Sequence, residues 1–156
     1  MAFALPQIER RRIEAAVLKR VYDALCETMS PDQAAAHIER AVAADARAAG
    51  AAFAAAAPGG PSLAHFATVI SRWTEGGALE IRGPELAGAI LTVTVTRCGY
   101  AEMYRDMGLP HPLPVLFSCL RDLHFAAGYS PRLTMSRPTT IAEGGAECPF
   151  RYNWSE

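Results

Sequence analysis

The 156-residue chain contains no run of 18 or more apolar residues, so no membrane-spanning helix is expected. Its first residues, Met1-Ala2-Phe3-Ala4-Leu5-Pro6, lack a basic stretch followed by an apolar core, which argues against a secretory leader. The four cysteines, at 26, 98, 119 and 148, include no Cys-x-x-Cys pair. In a chain without a leader they read as reduced thiols rather than a disulfide framework, and a cytoplasmic location is the expectation. An excess of charge is missing as well. A formal net charge of −1 gives no electrostatic reason to expect a nucleic acid or an anionic membrane as partner. No phosphate loop, dinucleotide fingerprint or Ser-His-Asp order occurs, and Gly76-Gly77 and Gly144-Gly145 are isolated turn glycines. These absences leave a small molecule as the partner to look for.

The length suits one domain, and a chain of this size buries enough surface to fold without a disulfide or metal. Residues 1–77 read as helical. From Pro6 to Met29 the apolar positions Ile8, Ile13, Ala16, Val17, Val21, Ala24 and Leu25 recur mostly at three- and four-residue steps, predicting one packed stripe. Ser30-Pro31-Asp32 supplies a stop and a fresh cap for an alanine-rich helix from about Asp32 to Ala55. Its small side chains allow close backbone approach, which also leaves room for a homo-oligomer. A third helix, capped by Ser62, carries Leu63, Phe66, Ile70 and Trp73 and ends at Gly76-Gly77.

Residues 78–156 change texture. Ala78–Arg82 and Ala89–Thr96 largely alternate as strands do, with Gly83-Pro84-Glu85 between them as a loop or turn. Helical spacing returns over Cys98–Met107 and Leu113–Ala127, Gly128-Tyr129-Ser130-Pro131 turns the chain, and Arg132–Arg137 and Glu147–Tyr152 read as closing strands. The expected fold is α+β: N-terminal helices, then an antiparallel sheet in the order ββ-αα-ββ with helices packed on it, the two regions forming one compact domain.

Three of the four cysteines lie in this second region beside buriable charges. Cys98 follows a strand and opens a helix, where the positive end of the helix dipole favours thiolate, and Glu102 lies one turn further on the same face. Cys119 and Asp122 are three apart and share a helix face, and Cys148 begins the last strand with Phe150 and Tyr152 on its side and Arg151 on the other. Burying such groups unpaired costs about 2–7 kcal/mol for a polar group and more for a charge, so either they satisfy one another or they hold a ligand. Arg97, Arg137 and Arg151 could clamp an anion or pair with Glu102, Asp122 or Glu143. No cofactor is required by the sequence. A metal or cluster held by Cys98, Cys119 and Cys148 is the one candidate, although their long separations give no ligand-spacing pattern.

Five blocks occur in order: Arg97-Cys98-Gly99-Tyr100-Ala101-Glu102-Met103-Tyr104, Ser118-Cys119-Leu120-Arg121-Asp122, Gly128-Tyr129-Ser130-Pro131, Arg137-Pro138-Thr139-Thr140-Ile141 and Glu143-Gly144-Gly145-Ala146-Glu147-Cys148-Pro149-Phe150-Arg151-Tyr152. Over residues 80–156 the series resembles the L-2-amino-thiazoline-4-carboxylic acid hydrolase family. The resemblance implies a bacterial enzyme that opens a small nitrogen heterocycle by adding water at a C–N or C–S bond. Where that family shows Cys-Asp-Phe-Arg, this chain has Cys148-Pro149-Phe150-Arg151, and Pro149 also removes a backbone donor, which places it at a sheet edge or bulge. Ring opening needs attack on an amidine-like carbon, protonation of the leaving atom and a clamp for the substrate carboxylate. The candidates are Cys98, Cys119 or Cys148 as nucleophile or ligand of a water-activating metal, Asp122 or Glu102 for proton transfer, and Arg137, Arg151 and Tyr100 for binding. The competing expectations are a small-ligand or metal-binding regulatory module and an accessory structural subunit.

Overall fold

The computed structural model describes residues 5–156. Residues 1–4, most of the segment considered for a leader, lie outside the described residues. Helix α1 (Gln7–Cys26) leads to α2 (Pro31–Ala55), whose start the sequence specifies closely. Ser30 Oγ accepts from the Gln33 N–H, Gln33 Oε1 accepts from the Ser30 N–H, and Pro31 fills the first helical position. α2 buries Ala34, Ile38, Val42, Ala46, Gly50 and Phe53, a stripe at three- and four-residue steps. Short helices α3 (Leu63–Ala67) and α4 (Ile70–Thr74) come next, so the third helix expected from the sequence is broken where Thr68 and Val69 separate its two halves.

α1 does not bury the stripe predicted for it. Ala15 and Tyr22 face inward with Ile8, Leu18, Leu25 and Cys26 beside them, while Ile13, Val17 and Val21 are exposed. Two apolar stripes share this helix, and the one holding the larger side chains, Tyr22 and Leu18, takes the core.

Strands β1 (Leu79–Ala87), β2 (Ile90–Cys98), β3 (Leu133–Ser136) and β4 (Cys148–Trp154) form one antiparallel sheet in the order β1-β2-β4-β3. The hairpin turns at Gly88-Ala89, between the pair Ala87 and Ile90, and not at Gly83-Pro84-Glu85. Those three residues lie within β1 at a register shift between Arg82 and Glu85, where Gly83 takes a φ of +88° that a side chain would resist. β4 is an interior strand over most of its length, but at Pro149 it is a local edge, as the proline requires. Its pairing with β3 covers only Arg151–Trp154, so at Pro149 that flank is unpaired and the missing N–H breaks no β3 bond.

Between β2 and β3 run α5 (Gly99–Asp106), a widened turn of π-helix at Val115–Cys119, and α6 (Leu120–Tyr129). α6 continues through Gly128, where the sequence pattern predicts a turn. Its lack of a side chain serves packing instead: a Cβ there would come within 2.2 Å of the Arg47 carbonyl oxygen on α2, and one at Gly50 within 2.2 Å of the Phe125 carbonyl oxygen. The inner sheet face, with Leu91, Val93, Val95, Cys148, Phe150 and Tyr152 buried, packs against Phe66, Ile70, Ala126 and Tyr129. The expected α+β class holds. No helix among the described residues is long and apolar enough to cross a membrane.

Candidate active site

Between the sheet face and helices α1, α2, α4 and α6 lies a cavity of about 510 Å³. Cys98, Cys119, Cys148, Asp122, Arg137 and Tyr100 all line it, so six of the eight residues singled out from the sequence converge. Each arrives by its own element. Cys98 ends β2, Cys119 closes the π turn, Asp122 sits in the first turn of α6, and Cys148 opens β4. The extra backbone residue of a π turn rotates the next helical turn relative to an ordinary helix, and Asp122 is carried on that turn. Arg137 directly succeeds β3.

Glu102 and Arg151 are not brought to the cavity. Glu102 is bound by a short contact to Arg97 and does not line the space. Arg151 is exposed on β4, where Cys148, Phe150 and Tyr152 are buried, as strand parity requires. Pro149 shares Arg151's parity and is absent from the lining. A carboxylate at that position would point away from the cavity, so its replacement by proline removes no group from the site.

Asp122 and Arg137 form the electrostatic centre. Arg137 Nη1 donates to Asp122 Oδ2 at 2.5 Å and Nη2 to the Cys119 carbonyl at 3.0 Å, while the guanidinium lies 4.9 Å from the centre of the Phe150 ring. Its Nε–H is buried with no partner, which leaves one donor unspent beside the cavity. Asp122 keeps a quarter of its side-chain surface open, but the cavity rather than bulk water receives it. Burial therefore pushes its carboxyl above the usual carboxylate range, against the pull of Arg137.

The thiols differ from expectation. Cys98 caps α5, its Sγ accepting from the Ala101 N–H at 3.4 Å, yet burial outweighs that bond and raises its pKa. Cys119 is pushed up to about 12, by burial and then by the Asp122 charge. Cys148, whose Sγ accepts from the Ile141 N–H at 3.1 Å, is raised by burial as well. All three are neutral thiols at pH 7, and the thiolate predicted at the start of α5 is corrected: a single helix end does not compensate for desolvation. Among the described residues no three of His, Cys, Asp or Glu are grouped to hold a metal ion, so the metal or cluster considered for Cys98, Cys119 and Cys148 has no ligand set.

Sequence reasoning missed an ionic cluster at one wall. Arg121 on α6 is buried and donates to Asp45 of α2 at 2.6 Å, Glu14 of α1 at 3.2 Å and its own Phe117 carbonyl at 2.9 Å, and Arg11 also pairs with Glu14 at 2.5 Å. Partners 76 and 107 residues apart leave no local signal. Counting the lining, Arg10, Arg11, Arg72, Arg121 and Arg137 face Glu14, Asp45 and Asp122, an excess of two positive charges that favours an anionic ligand.

The L-2-amino-thiazoline-4-carboxylic acid hydrolase family matches residues 10–152. No functionally curated protein matches the chain. Among solved structures, subunit 3 of a trafficking protein particle complex from Naegleria fowleri, covalently bound to palmitic acid, is similar with a TM-score of 0.56. The match covers 94% of this chain and 96% of that chain at 9% identity, a likeness of fold alone.

Proposed function

The chain belongs to the L-2-amino-thiazoline-4-carboxylic acid hydrolase family, and from that premise we propose that it opens a small, carboxylate-bearing nitrogen heterocycle by adding water in the cavity beneath the sheet. The observation that carries the reading is the placement of Asp122, hydrogen-bonded to Arg137, in the buried part of a cavity whose lining has a cationic excess.

Asp122 is the acid–base group. Its raised pKa brings it nearer neutrality, where a carboxyl both takes and returns a proton efficiently. A water attacks the amidine-like ring carbon and Asp122 accepts its proton. The tetrahedral carbon then collapses and expels the ring heteroatom, which receives that proton. For a 2-amino-thiazoline, the water oxygen ends on the former ring carbon, one hydrogen on the ring nitrogen and the other on the released sulfur, so one water is consumed. The unspent Arg137 Nε–H is a donor for charge developing on the substrate. Cys98, Cys119 and Cys148, protonated at neutral pH, form a polarizable wall instead of supplying a ready nucleophile.

The test is incubation with 2-amino-thiazoline-4-carboxylate and related cyclic amidines, then mass spectrometry for a product one water heavier. The expected result is turnover that D122N lowers by about 10²-fold or more and C98S and C148S lower far less. Equal loss in C119S and D122N would move the chemistry to the thiol. Binding without turnover for every ring tested favours the second reading, a ligand-binding regulatory module, for which the protonated state of the thiols speaks.

A further inference from the structure

The cavity is larger and longer than a bare ring requires. The ring acid of the family name has about nine non-hydrogen atoms, which at water's ~30 Å³ apiece (an upper bound for bonded atoms) occupy about half of 510 Å³. The excess has a direction. On α2 the lining runs from Asp45 through Ala46, Ala49, Ala52 and Phe53 to Ala56, about 16 Å along the helix axis at 1.5 Å per residue. Four of those six side chains are methyl groups. Ala46 and Phe53 are buried while Ala49, Ala52 and Ala56 reach solvent, so these alanines form an open groove leading out of the cavity along the helix, which leucines would narrow. Val69, Ile70 and Trp73 of the α4 region also line the cavity and are apolar, while Asp122, Arg137 and the thiols come from α6 and its π turn, the start of β4 and the ends of β2 and β3. One wall is thus largely apolar, with the Arg72 guanidinium 5.2 Å from the centre of the Phe53 ring, and another is polar.

Resting on the hydrolase reading, we propose that the substrate is a heterocycle bearing an elongated apolar substituent. Its ring sits at the Asp122–Arg137 pair and its substituent lies along the alanine trough of α2 against Trp73. The trough supplies binding energy remote from the reacting carbon, which an enzyme uses to fix the ring against its acid–base group. Removing one buried CH2 from water is worth about 0.8 kcal/mol, up to ~4-fold in affinity.

Two thiazoline-4-carboxylates carrying a methyl or an n-hexyl group at position 2 separate the outcomes. Ring opening of either adds the water oxygen to C2, places one hydrogen on nitrogen and one on the departing sulfur, and gives the N-acylcysteine. Binding is read by stopped-flow fluorescence of Trp73 in a W154F background, since Trp154 does not line the cavity. Ring opening is monitored separately by mass. The expected result is a Kd for the hexyl compound at least about tenfold below that of the methyl compound, with the ratio falling toward one in A49L and again in A52L. Equal affinity for the two compounds in the unsubstituted lining overturns the proposal, as does a ratio that neither leucine changes. Should either variant fail to fold, the ratio with alanine in place decides. A chain-length gain without ring opening keeps the trough and removes the hydrolase reading. Ring opening without a chain-length gain does the reverse.

Discussion

Asp122 and Arg137 constrain each other inside the cavity. Replacing Arg137 by methionine leaves a carboxylate largely out of water with no counter-charge, which costs about 3 kcal/mol at pH 7. The loss should shrink toward pH 5, because Asp122 escapes it by protonating. Urea midpoints at the two pH values check this, and an equal loss at both would show that packing of the guanidinium on Phe150, not charge, is what was removed. The thiols give the opposite edge of the pH range. Their folded pKa values are raised, so above the unfolded thiol value of ~8.5 the unfolded chain releases protons that the folded chain retains. Stability should therefore be fully present below about pH 8.5 and fall as pH rises toward the folded values, about 12 for Cys119. C119A should flatten that slope, as read from urea unfolding at pH 8 and 10.

Helix α2 carries two kinds of small residue with different duties. Gly50 is buried where α2 crosses α6, and Gly128 answers it from the other side, each with a backbone atom 2.2 Å from where a Cβ would stand. Ala49 and Ala52 face the cavity. G128A must push two helices apart and should cost about 3 kcal/mol, more than the ~1 kcal/mol expected for S30A, which only removes the cap of α2. Thermal midpoints of the two variants side by side decide; a milder effect for G128A would mean that the crossing can relax. This contrast also marks what was legible beforehand. The Ser30 cap, the Pro31 start, the β2 alternation and the shared face of Cys148 and Phe150 are local patterns, and all appear in the structure. The π turn before Asp122 and the role of Gly128 inside α6 depend on partners distant in sequence. The second apolar face of α1 misleads for the same reason. Periodicity names a stripe, but only the neighbouring helix chooses between two.

At the scale of the molecule, α1 forms one wall of the cavity and is held there by charge as well as by apolar packing. Convergence of six singled-out residues on one space could be hoped for from the sequence, because thiols, an acid and a guanidinium recur at element ends. The wall that closes that space could not, since Arg121 finds Asp45 and Glu14 across 76 and 107 residues. Arg121 binds α6 to both α1 and α2, and its side chain is only 10% exposed. R121L therefore removes the cation that three elements share and leaves Glu14 and Asp45 without it. Its expected effect is local before it is global: α1 loosens and the cavity opens. Iodoacetamide under native conditions should then label Cys98, Cys119 and Cys148 at least several-fold faster than in the parent chain. Cys26, at the C-terminal end of α1 and outside the lining, reports whether the whole helix loosens rather than the cavity wall alone. G128A, matched for lost stability, separates the two causes. Equal acceleration of the cavity thiols in both variants would mean that labelling tracks unfolding of the whole chain. Acceleration in R121L alone assigns the ionic cluster to the closure of the site, and would make α1 the wall through which a substrate enters.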